Sequence, residues 1–228
     1  MNARWAQVDP RLYFVTDSAL CVQAGRSVAA TAAAAVAGGA GIVQVRDKQL
    51  DDAAFYALTR SVLDAVASAV DGANRYVPVV LNDRVNVARR LLDEEYDVHI
   101  HVGQQDTPVT RVRERLGPGP LVGLSVATLN DLATAEASGV VDLVGLSPVF
   151  DTATKPDAGR ALRIAGVRAL ARRARLSAFA IGGITVARTR RLRNTGIAGV
   201  CVASALCLAA DPAATARAFL AAWEGTHV

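Results

Sequence analysis

The feature that most constrains this chain is a regular alternation of short apolar runs with longer helical stretches. Eight runs rich in Val, Ile and Leu are each followed by a stretch of helical spacing, with Gly, Pro, Asp or Asn between them. Apolar strands that are joined through helices form parallel sheets buried on both faces. Eight continuous βα units in 228 residues therefore predict a closed (β/α)8 TIM barrel, in preference to an open doubly wound sheet.

One α/β domain accounts for the whole chain, 1–228, with short tails at 1–10 and 224–228. The predicted strands cover residues 12–16, 41–46, 78–82, 98–102, 121–125, 143–146, 178–181 and 200–203. The predicted helices cover residues 27–37, 52–69, 84–92, 109–115, 129–137, 165–173, 185–194 and 212–223.

Composition and charge exclude several classes of protein. A hydrophobic content of 52% excludes a disordered chain, and a net charge of +4 falls short of the dense basic stripe of nucleic-acid-binding proteins. The uncharged stretch 27–45 is long enough to suggest a membrane span, but its glycines predict a helix, a turn and a strand. Three cysteines without a CxxC pair, and no secretory leader pattern, predict buried thiols in a reduced cytoplasmic protein.

Functional groups of such barrels lie where strands end, on the βα loops. The second strand ends in Gln44, Arg46 and Lys48, which the strand period places on one face. An Arg and a Lys at the mouth of a barrel are costly unless an anion meets them, so the motif predicts an anion site. The alternative is an exposed ion pair between Arg46 and Asp47.

Carboxylates follow the next two strands. Asn82 and Asp83 end the third strand, and Asp106 follows the fourth. Neighbouring strands lie about 5 Å apart, so the two Asp could hold one Mg²⁺ together with phosphate oxygens and water. Each Asp could instead cap the helix that follows it.

A second, smaller anion site is predicted after the last two strands. Gly182, Gly183 and Ser204 lie where these barrels often bind a phosphate, although paired glycines also form ordinary tight turns. A long loop after the sixth strand carries Thr152, Thr154 and Lys155. Since the chain has only two lysines against 23 arginines, we interpret Lys48 and Lys155 as phosphate ligands rather than solvated cations.

Two further groups are interpreted as structural. His99 and His101 share a strand face without a third ligand of the same type nearby, which favours core or rim histidines over a metal pair. The arginine clusters at 172–175 and 188–193 are interpreted as solvated helix faces.

In this order the motifs resemble the thiamine phosphate synthase family over nearly the whole chain. The segments that carry the resemblance are 12–17, 44–48, 81–84, 101–106, 123–125, 148–155, 181–184 and 203–205. The resemblance implies an alkyl transferase that joins hydroxymethylpyrimidine diphosphate to hydroxyethylthiazole phosphate, by a dissociative, Mg²⁺-assisted loss of diphosphate. It also implies a homodimer.

The resemblance assigns roles to individual residues. The pyrimidine diphosphate would be held by Gln44, Arg46, Lys48, Asn82 and Lys155, and its Mg²⁺ by Asp83 and Asp106. Ser125 would hold the reacting region, and the thiazole phosphate would be held by Thr152, Thr154, Gly182 and Ser204. Arg46, Lys48, Ser125 and Lys155 are the catalytic candidates.

The chain departs from the family pattern at four places. Asp97 lies one residue farther from His101 than the pattern has it, which suggests a small insertion near the fourth strand. Val126 and Ala127 stand where the family usually has Thr and His, Ser147 replaces a Gly, and Asp151 replaces a Pro and adds negative charge to a loop expected to meet diphosphate. Two alternatives remain: a related thiazole tautomerase, which would need the histidine replaced by Ala127, and a catalytically idle binder of thiamine intermediates.

Overall fold

A computed structural model describes residues 3–73, 75–151 and 160–225, and in it eight parallel strands close into a barrel in chain order. The strands are β1 Leu12–Val15, β2 Ile42–Val45, β3 Val79–Asn82, β4 Val98–Val102, β5 Val122–Val126, β6 Leu143–Leu146, β7 Ser177–Ile181 and β8 Gly199–Val202. The predicted TIM barrel is confirmed.

Helices surround the barrel. They are α1 Ser18–Gln23, α2 Val28–Ala37, α3 Asp52–Val70, α4 Val85–Asp93, α5 Val109–Leu116, α6 Leu129–Ser138, α7 Arg163–Ala171, α8 Val186–Leu192, α9 Ser204–Cys207 and α10 Pro212–Glu224. The uncharged stretch 27–45 is α2, a glycine turn and β2, as predicted. Helix α3 is long and apolar enough to cross a bilayer, but Phe55, Val62 and Val66 pack into the core between the helices and the barrel.

Side chains alternate between two cores. Residues facing outward from the strands join the helices in a large apolar layer, while Tyr13, Ile42, Val80, Leu143 and Phe179 fill the barrel lumen. All three cysteines are buried free thiols, as predicted.

The amino-terminal segment is more than a tail. Ala3–Gln7 forms a 3-10 helix, and the Trp5 indole Nε1 donates to Ser177 Oγ at 3.2 Å. The Trp5 ring meets Phe179 edge-on at 6.0 Å between centroids, so this segment closes the amino-terminal end of the lumen. At the other end of the chain, Glu224 belongs to α10 and pairs with Arg11.

Strand β4 keeps a continuous register with both neighbours. His101 lies opposite Asn82 on β3 and Gly123 on β5, and the flanking pairs follow in step without a bulge. The lumen therefore receives His99 and His101 at successive layers. His99 is fully buried, where its Nδ1 accepts from Leu121 N at 3.1 Å and its Nε2 meets the Tyr76 hydroxyl at 2.8 Å.

Candidate active site

The polar residues predicted from the strand ends meet at the carboxyl end of the barrel. They line one cavity, whose floor is formed by Tyr13, Phe179 and Cys201. The sequence-predicted residues on its wall are Gln44, Arg46, Lys48, Asn82, Asp83, Asp106 and Ser125.

Gln44 is anchored from below. It is 5% exposed, and its Nε2 donates to the Tyr13 hydroxyl at 2.8 Å, inside the lumen. Burial raises the pKa of Tyr13 well above its usual range, so the phenol stays protonated. The buried tyrosine therefore fixes how the Gln44 amide is presented to the cavity.

Arg46 is fixed by β1 and the residues that follow it. Its backbone N–H donates to Thr16 Oγ1 at 3.0 Å, and its guanidinium lies 3.8 Å from the Asp17 carboxylate. Asp47 points away and accepts from the backbone N–H groups of Gln49 and Leu50. The predicted alternative of an Arg46 and Asp47 rim pair is therefore not what the structure shows.

The two predicted metal carboxylates lie side by side. Asp83 is paired with Lys48 and Asn82, and the Asp106 carboxyl lies within hydrogen-bonding reach of it. Burial raises the pKa of Asp83 above its usual range; Lys48 opposes that rise and Asp106 adds to it. A second cation near both carboxylates would relieve this repulsion.

Neither Asp caps a helix. Asp106 Oδ2 accepts from Gly103 N at 2.8 Å, close to where a Cβ on Gly103 would lie. Helices α4 and α5 begin after Arg84 and Pro108, without a side-chain cap. The capping alternative is therefore wrong for both residues.

The donor set fits a magnesium ion. Among the described residues no group of three or more His, Cys, Asp or Glu surrounds a common point, so a metal held entirely by protein is not indicated there. Mg²⁺ is usually bound by one or two carboxylates, with substrate phosphates and water completing its shell. Asp83 and Asp106 match that pattern, because they line one cavity together with the cationic side chains of Arg46 and Lys48.

Ser125 is held by two neighbours. Its Oγ lies 3.1 Å from His101 Nε2, and its carbonyl accepts from Gln104 Nε2 at 2.7 Å. His101 and Gln104 were not predicted as site residues, yet both contact the serine that the resemblance assigns to the reacting region.

The paired glycines after β7 allow a close approach of the loop after β6. Gly182 and Gly183 have φ of 104° and 62°, and the backbone N–H groups of Val149 and Phe150 donate to the carbonyls of Ile181 and Gly182. A side chain on Gly183 would collide with the Asp151 carbonyl. Ser204 begins α9 at the same end of the barrel.

Arg188 differs from the solvated arginine predicted for α8. Its Nη1 donates to the Gly183 carbonyl, and its guanidinium lies 4.5 Å above the Phe150 ring. Arg188 therefore braces the two loops, whereas Arg172, Arg173, Arg190 and Arg191 are exposed as predicted.

Thr152, Thr154 and Lys155 lie outside the described residues, so their placement stays a prediction. The neighbouring departures are described. The Asp151 carboxylate is 87% exposed and lies 3.8 Å from Arg163, so its charge is directed to solvent. Ala127 is exposed, and its N–H donates to Asp131 at the start of α6.

Comparisons with known proteins agree with this geometry. The sequence model of the family described as Thiamine monophosphate synthase matches residues 12–206. Thiamine-phosphate synthase from Psychrobacter sp. (strain PRwf-1) is 38% identical over 213 residues, which cover 92% of this chain and 93% of that protein. The enzyme of the same name from Albidiferax ferrireducens is 40% identical over 206 residues, covering 90% and 88%.

A solved structure of similar name also matches this chain in fold. Thiamine phosphate pyrophosphorylase from Pyrococcus furiosus superposes with a TM-score of 0.81 at 25% identity, covering 96% of this chain and 98% of that one.

Proposed function

Because the chain belongs to the thiamine monophosphate synthase family and is an enzyme of thiamine phosphate synthesis, we propose that it joins hydroxymethylpyrimidine diphosphate to hydroxyethylthiazole phosphate. The observation that carries the proposal is the convergence of Arg46 and Lys48 with Asp83 and Asp106 on one cavity wall. Two cations and two carboxylates there suit a diphosphate accompanied by a divalent metal ion.

The proposed chemistry is a dissociative substitution. The bond between the pyrimidine methylene carbon and the diphosphate oxygen breaks, and its electron pair leaves with diphosphate. The aminopyrimidine carries the positive charge until the thiazole nitrogen supplies an electron pair to the same carbon. The step needs no external base. It needs groups that bind an anion, and Arg46 and Lys48 on the cavity wall are such groups.

Residues at the end of the second strand stabilise the transition state of this reaction. Negative charge grows on the leaving diphosphate as the bond breaks, so Arg46 and Lys48 interact more strongly in the transition state than in the ground state. Gln44, Asn82 and Ser125 hold the pyrimidine and its leaving oxygen. Asp83 and Asp106 would hold Mg²⁺, which when bound would supply positive charge to stabilise the leaving diphosphate.

The other substrate is proposed to bind across the mouth of the barrel. Gly182 and Ser204 would hold the thiazole phosphate, with Thr152 and Thr154 from the long loop. Lys155 would reach the diphosphate from the same loop. Gly182 follows β7 and Ser204 begins α9 directly after β8, so both lie at the carboxyl end of the barrel, where a phosphate site of such barrels is expected, and this location supports the proposal.

The test mixes the purified protein with both substrates, with and without Mg²⁺, and measures thiamine phosphate and diphosphate. We expect equal amounts of both products that depend on Mg²⁺, and a loss of about 10²-fold in kcat for Arg46→Ala and for Lys155→Ala. Arg111→Ala is the matched control, because Arg111 is 74% exposed on α5 and pairs with Glu114. Full activity without divalent metal, or in Arg46→Ala, would contradict the proposal.

We further propose that the enzyme is a cytoplasmic homodimer that binds neither nucleic acid nor membrane. The buried free thiols support a reducing compartment. Cell fractionation and light scattering of the purified protein test the two statements; a membrane-bound or monomeric protein would refute them.

A further inference from the structure

The His101 ring occupies space that two glycines leave open. Gly123, opposite His101 on β5, has no side chain where the ring passes: a Cβ there would lie 2.4 Å from His101 Nδ1. A Cβ on Gly145, on β6, would lie 3.2 Å from His101 Cε1. The imidazole therefore lies across two neighbouring strands in an orientation set by the barrel.

This orientation brings the ring to Ser125. His101 Nε2 lies 3.1 Å from Ser125 Oγ, and Gln104 holds the serine carbonyl. Ser125 pairs with Gly145 in the sheet, so the serine hydroxyl and the ring lie at the same level of the lumen. Both residues line the cavity whose wall carries Arg46 and Lys48.

The direction of this hydrogen bond decides what Ser125 can offer to a substrate. A serine hydroxyl has one hydrogen and accepts through its lone pairs. If Ser125 donates to His101, the oxygen turns lone pairs toward the anionic leaving group. If His101 donates through Nε2–H, the serine hydrogen is free to meet that anion, and the two bonds polarise each other in the same direction.

We propose that His101 is a positioning residue, whose Nε2–H donates to Ser125 Oγ and directs the serine hydroxyl hydrogen to the oxygen that leaves with diphosphate. This inference rests on the proposed function. No proton changes its atom; the serine bond shortens as negative charge grows on the departing oxygen. His101 therefore acts on the transition state through Ser125.

The first test compares His101→Leu with His101→Gln. Leu removes the donor, whereas the Gln amide nitrogen reaches about the place of Nε2. We expect His101→Leu to lower kcat about tenfold, as for a lost hydrogen bond of ordinary strength, with a change in KM for the pyrimidine diphosphate below about threefold. His101→Gln should recover most of kcat.

A second test displaces the ring without touching its chemistry. Gly123→Ala places a methyl group against His101, so it should lower kcat in the wild-type background. In the His101→Ala background the same substitution should cost less, because the ring it displaces is gone. This double-mutant cycle remains informative where one His101 variant is unstable.

The outcomes separate the inference from the proposed function. A wild-type protein that forms no product refutes the proposed function. If Ser125→Ala lowers kcat while His101→Leu leaves it unchanged, the enzyme function stands and the positioning role is refuted. An unrecovered kcat in a folded His101→Gln, or strictly additive effects in the cycle, would also overturn it.

Discussion

At the scale of single residues, the charged side chains of the site are already paired before any substrate binds. Lys48 contacts Asp83, and Arg46 lies near Asp17. Asp83 also sits in the left-handed backbone region with φ of 64°, a conformation that Asp and Asn tolerate better than most residues. Backbone strain and crowded charge of this kind are typical of functional sites.

This arrangement predicts that Asp83 costs stability. Its folded-state pKa lies above the ordinary value of 3.8, so the folded protein binds the proton more tightly than the unfolded chain does. The free energy of unfolding therefore falls as pH rises through that pKa. Asp83→Asn keeps the backbone conformation and should gain stability relative to wild type from about pH 4 to pH 7, while losing activity. Urea unfolding across this range measures it.

Asp93→Asn is the matched control with the opposite sign. Asp93 lies on the exposed face of α4, where its hydrogen bond to Arg89 holds its pKa below the usual range. The ionised Asp93 carboxylate therefore stabilises the folded state above its ordinary pKa, and this stabilisation is lost as the pH falls. Asp93→Asn should therefore lose a little stability at neutral pH and keep full activity. A destabilised Asp83→Asn at pH 7 would contradict the prediction.

Several site residues that the sequence predicted stand at the end of an apolar strand or within a few residues of it. Gln44, Arg46, Lys48 and Asp83 could be placed by counting along their own strands. His101 could not, because the information that orients it lies in Gly123 and Gly145 on two other strands. Small residues at the same level of neighbouring lumen strands are the signal that would have found it.

At the scale of elements, the eight strands and eight long helices could be predicted within a few residues of their ends. This was possible because the spacing of apolar residues in each strand and helix indicates which face it buries. Helices α1 and α9 were missed because six and four residues are too short to show a helical period. The 3-10 helix was missed because what buries it is Ser177 and Phe179, more than 170 residues away.

Two glycines at the starts of β2 and β8 admit the segment that enters β1. A Cβ on Gly41 would lie 1.9 Å from the Asp9 carbonyl oxygen, and one on Gly199 would lie 1.8 Å from that of Pro10. Both carbonyl oxygens are backbone atoms, so neither can move unless the chain around it moves as well. Gly41→Ala and Gly199→Ala should each lower the free energy of unfolding by more than about 2 kcal/mol.

Gly119→Ala is the control for these two substitutions. No atom lies within 4 Å of the Cβ it would add, so the free energy of unfolding should be unchanged or rise by up to about 1 kcal/mol. Thermal or urea unfolding of the three variants measures the difference. An equal free energy of unfolding for all three variants would contradict the prediction, because it would show that the segment entering β1 can shift without loss of stability.

At the scale of the whole molecule, a column of aromatic rings joins the two ends of the barrel. Trp5 meets Phe179 edge-on, Phe179 meets Tyr13 edge-on at 5.6 Å, and the Tyr13 hydroxyl accepts from Gln44. The amino-terminal segment therefore supports, through two buried rings, an amide that faces the substrate cavity. Tyr13 and Phe179 are fully buried, so each ring is also held by other side chains of the lumen.

This column predicts how Trp5→Ala separates stability from catalysis. Loss of the indole removes its packing on Phe179 and its hydrogen bond to Ser177, which should lower the free energy of unfolding by about 3 kcal/mol. Phe179 and Tyr13 are fully buried by other lumen residues, so kcat at 25 °C should fall less than about threefold.

Tyr13→Phe, which deletes only the hydroxyl that fixes Gln44, should do the reverse: a modest loss of stability and a larger loss in kcat/KM. Unfolding and steady-state rates of the two variants together test it, because equal effects on both quantities would mean that the column acts only as packing.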